Sequence, residues 1–212
     1  MRAGDENAAQ AVAVLGAGGH AKVVVSTLRA AGHTVRIVLD DDPTTWGREV
    51  LGVPVHGPMS TLADHGVQGA VIAVGSNAAR RRIAESFPGT PWITAIHPTA
   101  VIDSTVTIGP GTVVFAGAVI QPDTTLGAHV IVNTAASIDH DCVIEDFTHL
   151  APGVHLAGDV RVDCGAFLGI GVVVIPGRRI GAAATVGAGG VVIADVEAGT
   201  TVVGVPARAG KI

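Results

Sequence analysis

Two segments of the chain carry residue types that could do chemistry. His140 is followed directly by Asp141, and an imidazole at such a position could accept a proton as a general base. Gly16-x-Gly18-x-x-Ala21 follows an apolar run and opens a helix-like segment, an arrangement that lets backbone approach a phosphate. By spacing alone, His140 could equally be a surface histidine, and the glycines could form a tight turn between a strand and a helix.

The segment that holds His140 repeats with a period of six. Every sixth residue from Ile102 to Val192 is aliphatic, sixteen in succession, and small or turn-forming residues dominate three positions later. Neither a helix nor a plain strand has this period, so the pattern predicts a hexapeptide β-helix. Such hexads resemble the left-handed parallel β-helix of bacterial acyltransferases, in which three hexads make one coil. Residues 18 apart would then stack at about 4.8 Å, and the segment after Glu197 would cap the helix.

The chain changes character near Pro98. Before it, apolar runs alternate with helix-like segments, an order that favours a small, Rossmann-like α/β domain with a parallel sheet. We therefore predict an α/β domain over residues 1–97 and an all-β, left-handed β-helix over residues 98–212. The expected strands of the first domain are residues 11–15, 34–39, 69–74 and 92–96, and its expected helices are 20–31, 61–66 and 77–87.

Composition narrows the possible partners and compartments. The chain of 212 residues is 48% hydrophobic and 3% aromatic, with a net charge of −5, so a nucleic-acid partner is not expected. No segment is apolar enough to span a membrane, and the first ten residues are too polar for a signal peptide. The two cysteines form no CxxC pair, which favours a reducing cytoplasm and disfavours a disulfide framework or a cysteine-zinc site.

Both halves of the chain resemble bacterial nucleotide-sugar acetyltransferases of the PglD and sialic-acid O-acetyltransferase type. The segments that carry the resemblance are residues 12–24 (VAVLGAGGHAKVV), 73–77 (AVGSN), 96–100 (IHPTA), 139–142 (DHDC), 157–159 (AGD) and 203–208 (VGVPAR), together with Arg80, Asn133 and His149. The hexads alone specify only the superfamily. The Gly-Gly-His loop joined to the hexads is much more specific.

The resemblance implies a catalytic centre around His140. His140 stands where the family places its general base, and Asp141 stands where relatives, several of them with Glu, carry a carboxylate that polarises the imidazole. The amide of Gly158, one 18-residue coil after His140, would hold the thioester carbonyl and stabilise the oxyanion. Relatives use the residue matching His149 near the acetyl group and the one matching Asn133 near the acceptor.

The resemblance also implies two ligands and a homotrimer. Acetyl-CoA would lie between neighbouring subunits, with no metal, and a nucleotide-linked amino sugar would occupy the α/β domain. The residues implied for acetyl-CoA are His149, Gly158, Ile170, Gly171, Ala188, Gly189, Pro206 and Arg208. Those implied for the diphosphate are Gly16, Gly18, Gly19, His20, Gly75, Asn77 and Arg80, with Asp40 and Asp41 for the ribose or base and Asn133 for the acceptor sugar.

Several alternatives stay open at the level of sequence. Within the family, the acceptor could be sialic acid or another sugar hydroxyl, or a free small molecule, and the nucleotide could be UDP or GDP. Outside it, a metal enzyme of the γ-carbonic-anhydrase type is weakened because no two of His129, His140, His149 and His155 lie 18 or 36 residues apart. A non-catalytic sensor of nucleotide sugars is the third class.

A column of aspartates also accompanies His140. Asp123, Asp141 and Asp159 are 18 residues apart and should stack. They are either turn residues in water or a group that favours a cationic His140.

Overall fold

A computed structural model describes residues 11–210 of the chain. Its first part is a five-stranded sheet in the order β3-β4-β2-β1-β5, with β1, β2, β4 and β5 mutually parallel and β3 antiparallel to β4. The elements are β1 (Ala11–Leu15), α1 (Gly19–Ala30), β2 (Thr34–Leu39), β3 (Glu49–Val50), β4 (Val53–His56), β5 (Gly69–Ile72) and α2 (Asn77–Ser86), with 3₁₀ turns at Pro43–Thr45 and Met59–His65. The ten N-terminal residues, expected not to be a signal peptide, lie outside the described range.

Helices cover both faces of this sheet because its strands are apolar on both sides. β1, with the sequence AVAVL, is buried along nearly its whole length. α1 covers one face with a stripe at helical spacing that includes Val24, Val25 and Leu28. The turn at Met59–His65 and α2 cover the other face. The carboxyl ends of the parallel strands share one edge, where ligands bind in open α/β sheets.

The second part is a triangular prism of two- and three-residue strands. In chain order these are β6 (Ala95–Ile96), β7 (Val101–Ile102), β8 (Thr107–Ile108), β9 (Val113–Val114), β10 (Val119–Ile120), β11 (Thr125–Leu126), β12 (Ile131–Val132), β13 (Ser137–Ile138), β14 (Val143–Ile144), β15 (His149–Leu150), β16 (His155–Leu156), β17 (Arg161–Val162), β18 (Phe167–Leu168), β19 (Val173–Val174), β20 (Arg179–Ile180), β21 (Thr185–Val186), β22 (Val191–Val192), β23 (Thr201–Val203) and β24 (Arg208–Ala209).

The strands form three faces, and 18-residue stacking is observed in each. Face 1 contains β6, β9, β12, β15, β18, β21, β23 and β24; face 2 contains β7, β10, β13, β16, β19 and β22; face 3 contains β8, β11, β14, β17 and β20. Ser137, for example, pairs with Val119 below and His155 above, both 18 residues away. The expected left-handed β-helix with three hexads per coil is confirmed.

The period-six aliphatic residues fill the prism. All of them from Val114 to Val192 are at most 2% exposed, whereas Ile102 and Ile108 in the first coil are half-buried. The corner residues three positions later, from Gly111 to Gly189, adopt the left-handed backbone conformation, with φ 68° at Gly171 and 61° at Asp141. Seven of these corner residues are glycine, which enters the left-handed region without a steric penalty.

The α/β domain packs on face 1. Val113, Phe115 and Ile131 of face 1 share one core with Val12 and Val24 of the α/β domain. β6 already pairs with β9, through Ala95 and Val113, so the prism begins slightly before the predicted domain boundary at residues 97 and 98. Within residues 11–210, the α/β domain shares no core with face 2 or face 3.

Three local features differ from the sequence predictions. The β3–β4 hairpin is not predicted, because its strands are too short for a clear alternation. The strand expected over residues 69–74 ends at Ile72. The strand expected over residues 92–96 is a single bridge from Trp92 to Ala70, followed by β6 on the prism.

The end of the chain leaves the hexad pattern as expected. β23 pairs in parallel with β21, and β24 turns back antiparallel on β23, so the segment caps the prism. Within residues 11–210, no helix is long and apolar enough to cross a membrane.

Candidate active site

His140 lies at the corner between faces 2 and 3, where β13 turns into β14. The Oδ1 atom of Asp139 accepts the backbone N–H of His140 at 2.9 Å, and the Nδ1 atom of His140 lies 2.7 Å from Oδ2 of Asp141. The side chains of His140 and Asp141 are 58% and 60% exposed. The pairing of Nδ1 with Asp141 leaves Nε2 free for a substrate.

The acidic surroundings favour the protonated form of His140. The hydrogen bond to Asp141 raises the pKa of His140 above its ordinary value, and the charges of Asp139, Asp141 and Asp159 act in the same direction. Asp123, Asp141 and Asp159 do stack at this edge, all with a left-handed φ near 60°. Left-handed corner geometry therefore accounts for the positions of all three, while Asp141 and Asp159 also act on His140.

Gly158 lies directly against the imidazole. A Cβ atom at Gly158 would be 2.7 Å from Nε2 and 2.5 Å from Cε1 of His140, so only glycine leaves room for the ring in this orientation. The backbone N–H of Gly158 has no hydrogen-bond partner among residues 11–210. The stacking predicted from the 18-residue spacing is confirmed, and it places an unused donor beside a free base.

The hexad pattern itself marks Gly158 as unusual. The residue two positions after each period-six aliphatic is a non-glycine residue in all hexads from Ser104 to Ala194 except one. Gly158 is the exception. The prism backbone therefore tolerates a side chain at this position. The glycine is explained by the ring above it and not by the turn.

His149 lies on face 1, away from His140, against the α/β domain. The carbonyl of Gly75 lies 3.2 Å from Nδ1 of His149, so Nδ1 carries the proton. Nε2 lies 3.4 Å from the amide nitrogen of Asn133 and accepts its hydrogen. Burial, helped by the charge of Arg80, lowers the pKa of His149 to about 4. His149 is thus a neutral imidazole in a fixed tautomer.

The glycine loop crosses the carboxyl edge of the sheet between β1 and α1. Gly16 has φ 109°, and a Cβ there would lie 2.9 Å from Val74, so its glycine is required by the turn. A Cβ at Gly18 or Gly19 would touch no atom within 4 Å, and no side chain caps α1. The open space and the uncapped helix start suit an anionic ligand.

Asp40 holds this loop in place. Its Oδ2 accepts the backbone N–H of Ala17 at 2.6 Å, and its Oδ1 accepts that of Asp42 at 2.8 Å. Asp41 uses Oδ1 to accept the N–H of Met59 at 2.8 Å. The acidic segment after β2 thus lies beside the glycine loop, as the sequence predicts, with both carboxylate oxygens of Asp40 already engaged.

His20 connects the loop to the His149 region. Its ring lies 5.4 Å from Phe115 and 6.2 Å from His149, between ring centroids. Its Nε2 atom is shielded from solvent and has no hydrogen-bond partner among the described residues. Burial lowers the pKa of His20 to about 4, with a further contribution from Arg80. This buried, neutral ring therefore lies between the loop and His149 with one nitrogen unpartnered among residues 11–210.

Arg80 and Asn77 have a different role from the one expected. Arg80 is 1% exposed, and its guanidinium donates to the carbonyls of Val74, Gly75, His129, Phe147 and Thr148 and to Oδ1 of Asn77. The amide of Asn77 donates to the carbonyls of Gly165 and Ala166. The expectation that these two side chains bind the diphosphate is therefore corrected: their hydrogen-bonding groups join the α/β domain to the prism.

Most of the remaining expected residues lie at the corner between faces 1 and 2. Ile170 is 62% exposed, and Ala188 lies one coil above it. Gly171 and Gly189 have a left-handed φ of 68°. Pro206 and Arg208 belong to the cap, where Arg208 donates to the carbonyl of Ala207. Asn133 follows β12 at this same corner, in an earlier coil of the stack, so this edge is distinct from the His140 edge.

Two aromatic residues of the site are missed by the sequence analysis. Phe167 pairs with His149 in the strand ladder of face 1, and its ring meets that of His149 edge-on at 5.2 Å between centroids. The spacing of 18 residues between them is enough to predict this contact from sequence. Phe115 packs on His20 through the contact between the two parts of the chain, which no spacing reveals. Among residues 11–210, no group of three or more His, Cys, Asp and Glu side chains could hold a metal ion.

Comparison with known proteins gives consistent matches. Residues 11–87 match the family model of the PglD N-terminal domain. A perosamine N-acetyltransferase from Caulobacter crescentus, solved as a histidine-to-asparagine mutant with CoA and GDP-perosamine, is 42% identical with a TM-score of 0.91, covering 97% of this chain and 100% of that one. The acetyltransferase domain of PglB from Neisseria gonorrhoeae, solved with acetyl coenzyme A, is 38% identical with a TM-score of 0.90, covering 96% and 100%.

A curated relative extends the comparison. The UDP-N-acetylbacillosamine N-acetyltransferase of Bacillus subtilis (strain 168) is 41% identical over 110 residues, which are 50% of this chain. The match spans about half of that relative's length, 51%.

Proposed function

The chain belongs to the PglD-like family of sugar acetyltransferases, and from this premise we propose that it transfers acetyl from acetyl-CoA to the amino group of a nucleotide-linked 4-amino-4,6-dideoxy sugar. One observation carries the proposal: the free Nε2 of His140 and the unused N–H of Gly158 lie side by side. A base and an oxyanion donor are the two groups that acyl transfer requires from a protein.

The chemistry follows from these two groups. The amine nitrogen of the sugar attacks the thioester carbonyl carbon while Nε2 of His140 takes a proton from that nitrogen. The carbonyl oxygen becomes an oxyanion, and the N–H of Gly158 stabilises it. When the C–S bond breaks, the imidazolium returns its proton to the departing sulfur, which leaves an amide and the free thiol of CoA. Asp141 stabilises the imidazolium through Nδ1 during this cycle.

The acceptor site lies in the α/β domain. The open loop at Gly18 and Gly19, at the uncapped start of α1, takes the diphosphate. The sugar extends from there past His20 towards His149 and Asn133. The neutral state of both histidines suits this role, because neither adds a positive charge that would repel a protonated amine.

Relatives support N-transfer over O-transfer. The two relatives whose names state an acceptor chemistry, from Caulobacter crescentus and Bacillus subtilis, are both N-acetyltransferases. One is solved with a GDP-linked sugar and the other is named for a UDP-linked sugar, so the family accommodates either nucleotide. The free cysteines Cys142 and Cys164 support a reducing, cytoplasmic location.

Subunit assembly is part of the proposal. In one chain, the His140 edge and the edge of Asn133 and Ile170 are separate corners of the prism. Face 2, which lies between them, exposes apolar side chains that include Val101, Val173 and Ile175. A homotrimer packed through face 2 would bring the His140 edge of one subunit to the Asn133 edge of the next. Acetyl-CoA would occupy that cleft, along Ile170, Gly171, Ala188 and Gly189 towards Pro206 and Arg208.

The acceptor is tested by a turnover panel. Release of CoA thiol would be followed with GDP- and UDP-linked 4-amino sugars and with free sialic acid. The proposal expects turnover with a nucleotide amino sugar and none with sialic acid. Turnover with sialic acid alone would overturn the N-transfer assignment, and failure to bind acetyl-CoA would overturn the acyltransferase function.

Whether the active site is built from two neighbouring subunits is tested by mixing two inactive variants. His140→Asn removes the base from one edge, and Asn133→Ala removes a residue of the other. When the two variants are unfolded, mixed and refolded, hybrid trimers contain some clefts with both residues intact, so activity should return. No recovery, with each variant alone still assembling as a trimer, would contradict a site built from two subunits.

A further inference from the structure

We infer that the exposed indole of Trp46 is the platform on which the nucleobase of the acceptor stacks. The inference rests on the proposed function, since it assumes a nucleoside diphosphate on the glycine loop. Trp46 is 42% exposed, although a large aromatic side chain normally hides more of its surface. Trp46 lies at the same carboxyl edge of the sheet as the glycine loop. It packs on the segment after β4, which lies further out in the sheet than the ligand residues assigned above.

The order of the strands places Trp46 where the nucleobase end of a bound nucleotide is expected. β1, β2 and β4 are adjacent and parallel, so the segments that follow them line one edge in sequence across the sheet. The glycine loop follows β1, the acidic segment Asp40–Asp42 follows β2, and Gly57 follows β4. In open α/β sheets, phosphate lies at the glycine loop and ribose at the acidic residue after the second strand. The base is then expected beyond β2, over the end of β4.

The indole is held at that place. Its Nε1–H donates to the carbonyl of Asp40 at 2.8 Å. Its ring occupies the space that a Cβ at Gly57 would need, so one side of the indole rests on the backbone of Gly57. The same Asp40 accepts the N–H of Ala17 in the glycine loop through Oδ2. One residue therefore fixes both the loop and the indole, and sets the distance between them.

The fixed and exposed ring has the chemistry of a base platform. Stacking of a base on an aromatic side chain contributes about 1–3 kcal/mol and tolerates any base. A ring already anchored by a hydrogen bond and by backbone loses little freedom when a ligand covers it. The carboxylate of Asp41 keeps one oxygen without a hydrogen bond among the described residues, and that oxygen suits a ribose hydroxyl. Asp40 and Asp41 thus serve the loop and the ribose, and Trp46 serves the base.

Binding measurements with and without a base test the inference. The dissociation constants of GDP, UDP and inorganic pyrophosphate would be measured by calorimetry for the wild-type protein and for Trp46→Ala. Loss of stacking should weaken GDP and UDP by about 5- to 150-fold and leave pyrophosphate unchanged. Trp46→Phe, which keeps an aromatic face, should recover most of the affinity. An unchanged thermal midpoint shows that the variants remain folded.

Fluorescence gives an independent reading. Trp92 is the other tryptophan of the chain and packs on His129, 5.0 Å away between ring centroids, so Trp92→Phe leaves Trp46 as the single emitter. GDP should quench this emission and pyrophosphate should not. Equal GDP affinity in wild type and Trp46→Ala, or GDP binding without quenching, would overturn the inference and leave the acceptor site standing. Absence of GDP and UDP binding by the wild-type protein would overturn the acceptor site and the inference together.

Discussion

Replacement of Gly158 by alanine tests the geometry of the catalytic corner with a single methyl group. The new Cβ would lie 2.5 Å from Cε1 and 2.7 Å from Nε2 of His140, well inside the 3.5–4.0 Å at which non-bonded carbon atoms pack. The prism backbone accepts side chains at this hexad position, so the ring has to move. Because the ring of His140 is exposed, it can swing into solvent, away from the substrate.

The expected loss is that of general-base catalysis. A positioned acid or base contributes about 10²–10⁴-fold to a rate, so we expect Gly158→Ala to lower kcat by at least about 10²-fold. The free energy of unfolding should change by less than about 1 kcal/mol, since only an exposed ring is displaced and a glycine-to-alanine change at a negative φ is intrinsically favourable. The backbone N–H of residue 158 is retained, so oxyanion stabilisation is not removed directly.

The assay compares kcat and urea midpoints of three variants. Ala182→Ser adds one atom at the equivalent hexad position of another edge and should keep full activity. His140→Asn and the double variant Gly158→Ala/His140→Asn should be equally slow, because residues that act as a unit give non-additive losses. A Gly158→Ala protein with kcat within about twofold of wild type would show that the added methyl group does not displace the base. A double variant much slower than His140→Asn would show that Gly158 acts separately from the ring.

Three further predictions concern titration and stability. Asp141→Asn should move the acidic limb of the kcat/KM–pH profile to lower pH, because the pKa of His140 is raised by Asp141 and the neutral base appears only above it; an unchanged limb would contradict the pairing. His129 and His149, whose pKa values burial lowers to about 4, stay neutral when folded but protonate below about pH 6.5 when unfolded. Their contribution to stability should therefore be constant above that pH and decrease towards pH 4, by about 2 kcal/mol per histidine at pH 5; urea midpoints that do not fall between pH 7 and pH 5 would contradict this. Arg80→Ala should lower the free energy of unfolding by about 3 kcal/mol or more, because several buried carbonyls lose their donor; a urea midpoint equal to that of wild type would show that the contact between the domains does not depend on the guanidinium.

The prism could be predicted from sequence because its information is local and repeated. The aliphatic residue of each hexad must face the axis, and one register satisfies all sixteen hexads. The contact between His140 and Gly158 follows from that register, as do the corners. The pairing of His149 with Phe167 is available from the same arithmetic.

Features that depend on the contact between the two parts of the chain could not be predicted in this way. Arg80 follows a segment that resembles a ligand loop, yet its guanidinium points into the prism. Its true partners are backbone carbonyls, which carry no sequence signature. The orientation of His149 towards Gly75 and of His20 towards Phe115 arises at the same contact. The β3–β4 hairpin, which brings Gly57 under Trp46, escapes prediction because strands of two and four residues show little periodicity.

The role of His140 as the base is tested most directly by the rate of amide formation by His140→Asn at saturating acetyl-CoA and nucleotide amino sugar, with the acetylated sugar detected by mass spectrometry. His65→Ala, a histidine of the 3₁₀ turn in the α/β domain, is the matched control. If His140 is the base, His140→Asn loses about 10²–10⁴-fold in kcat while its dissociation constant for acetyl-CoA is unchanged, and His65→Ala is as active as wild type. Amide formation by His140→Asn at the wild-type rate would contradict the assignment of His140 as the base.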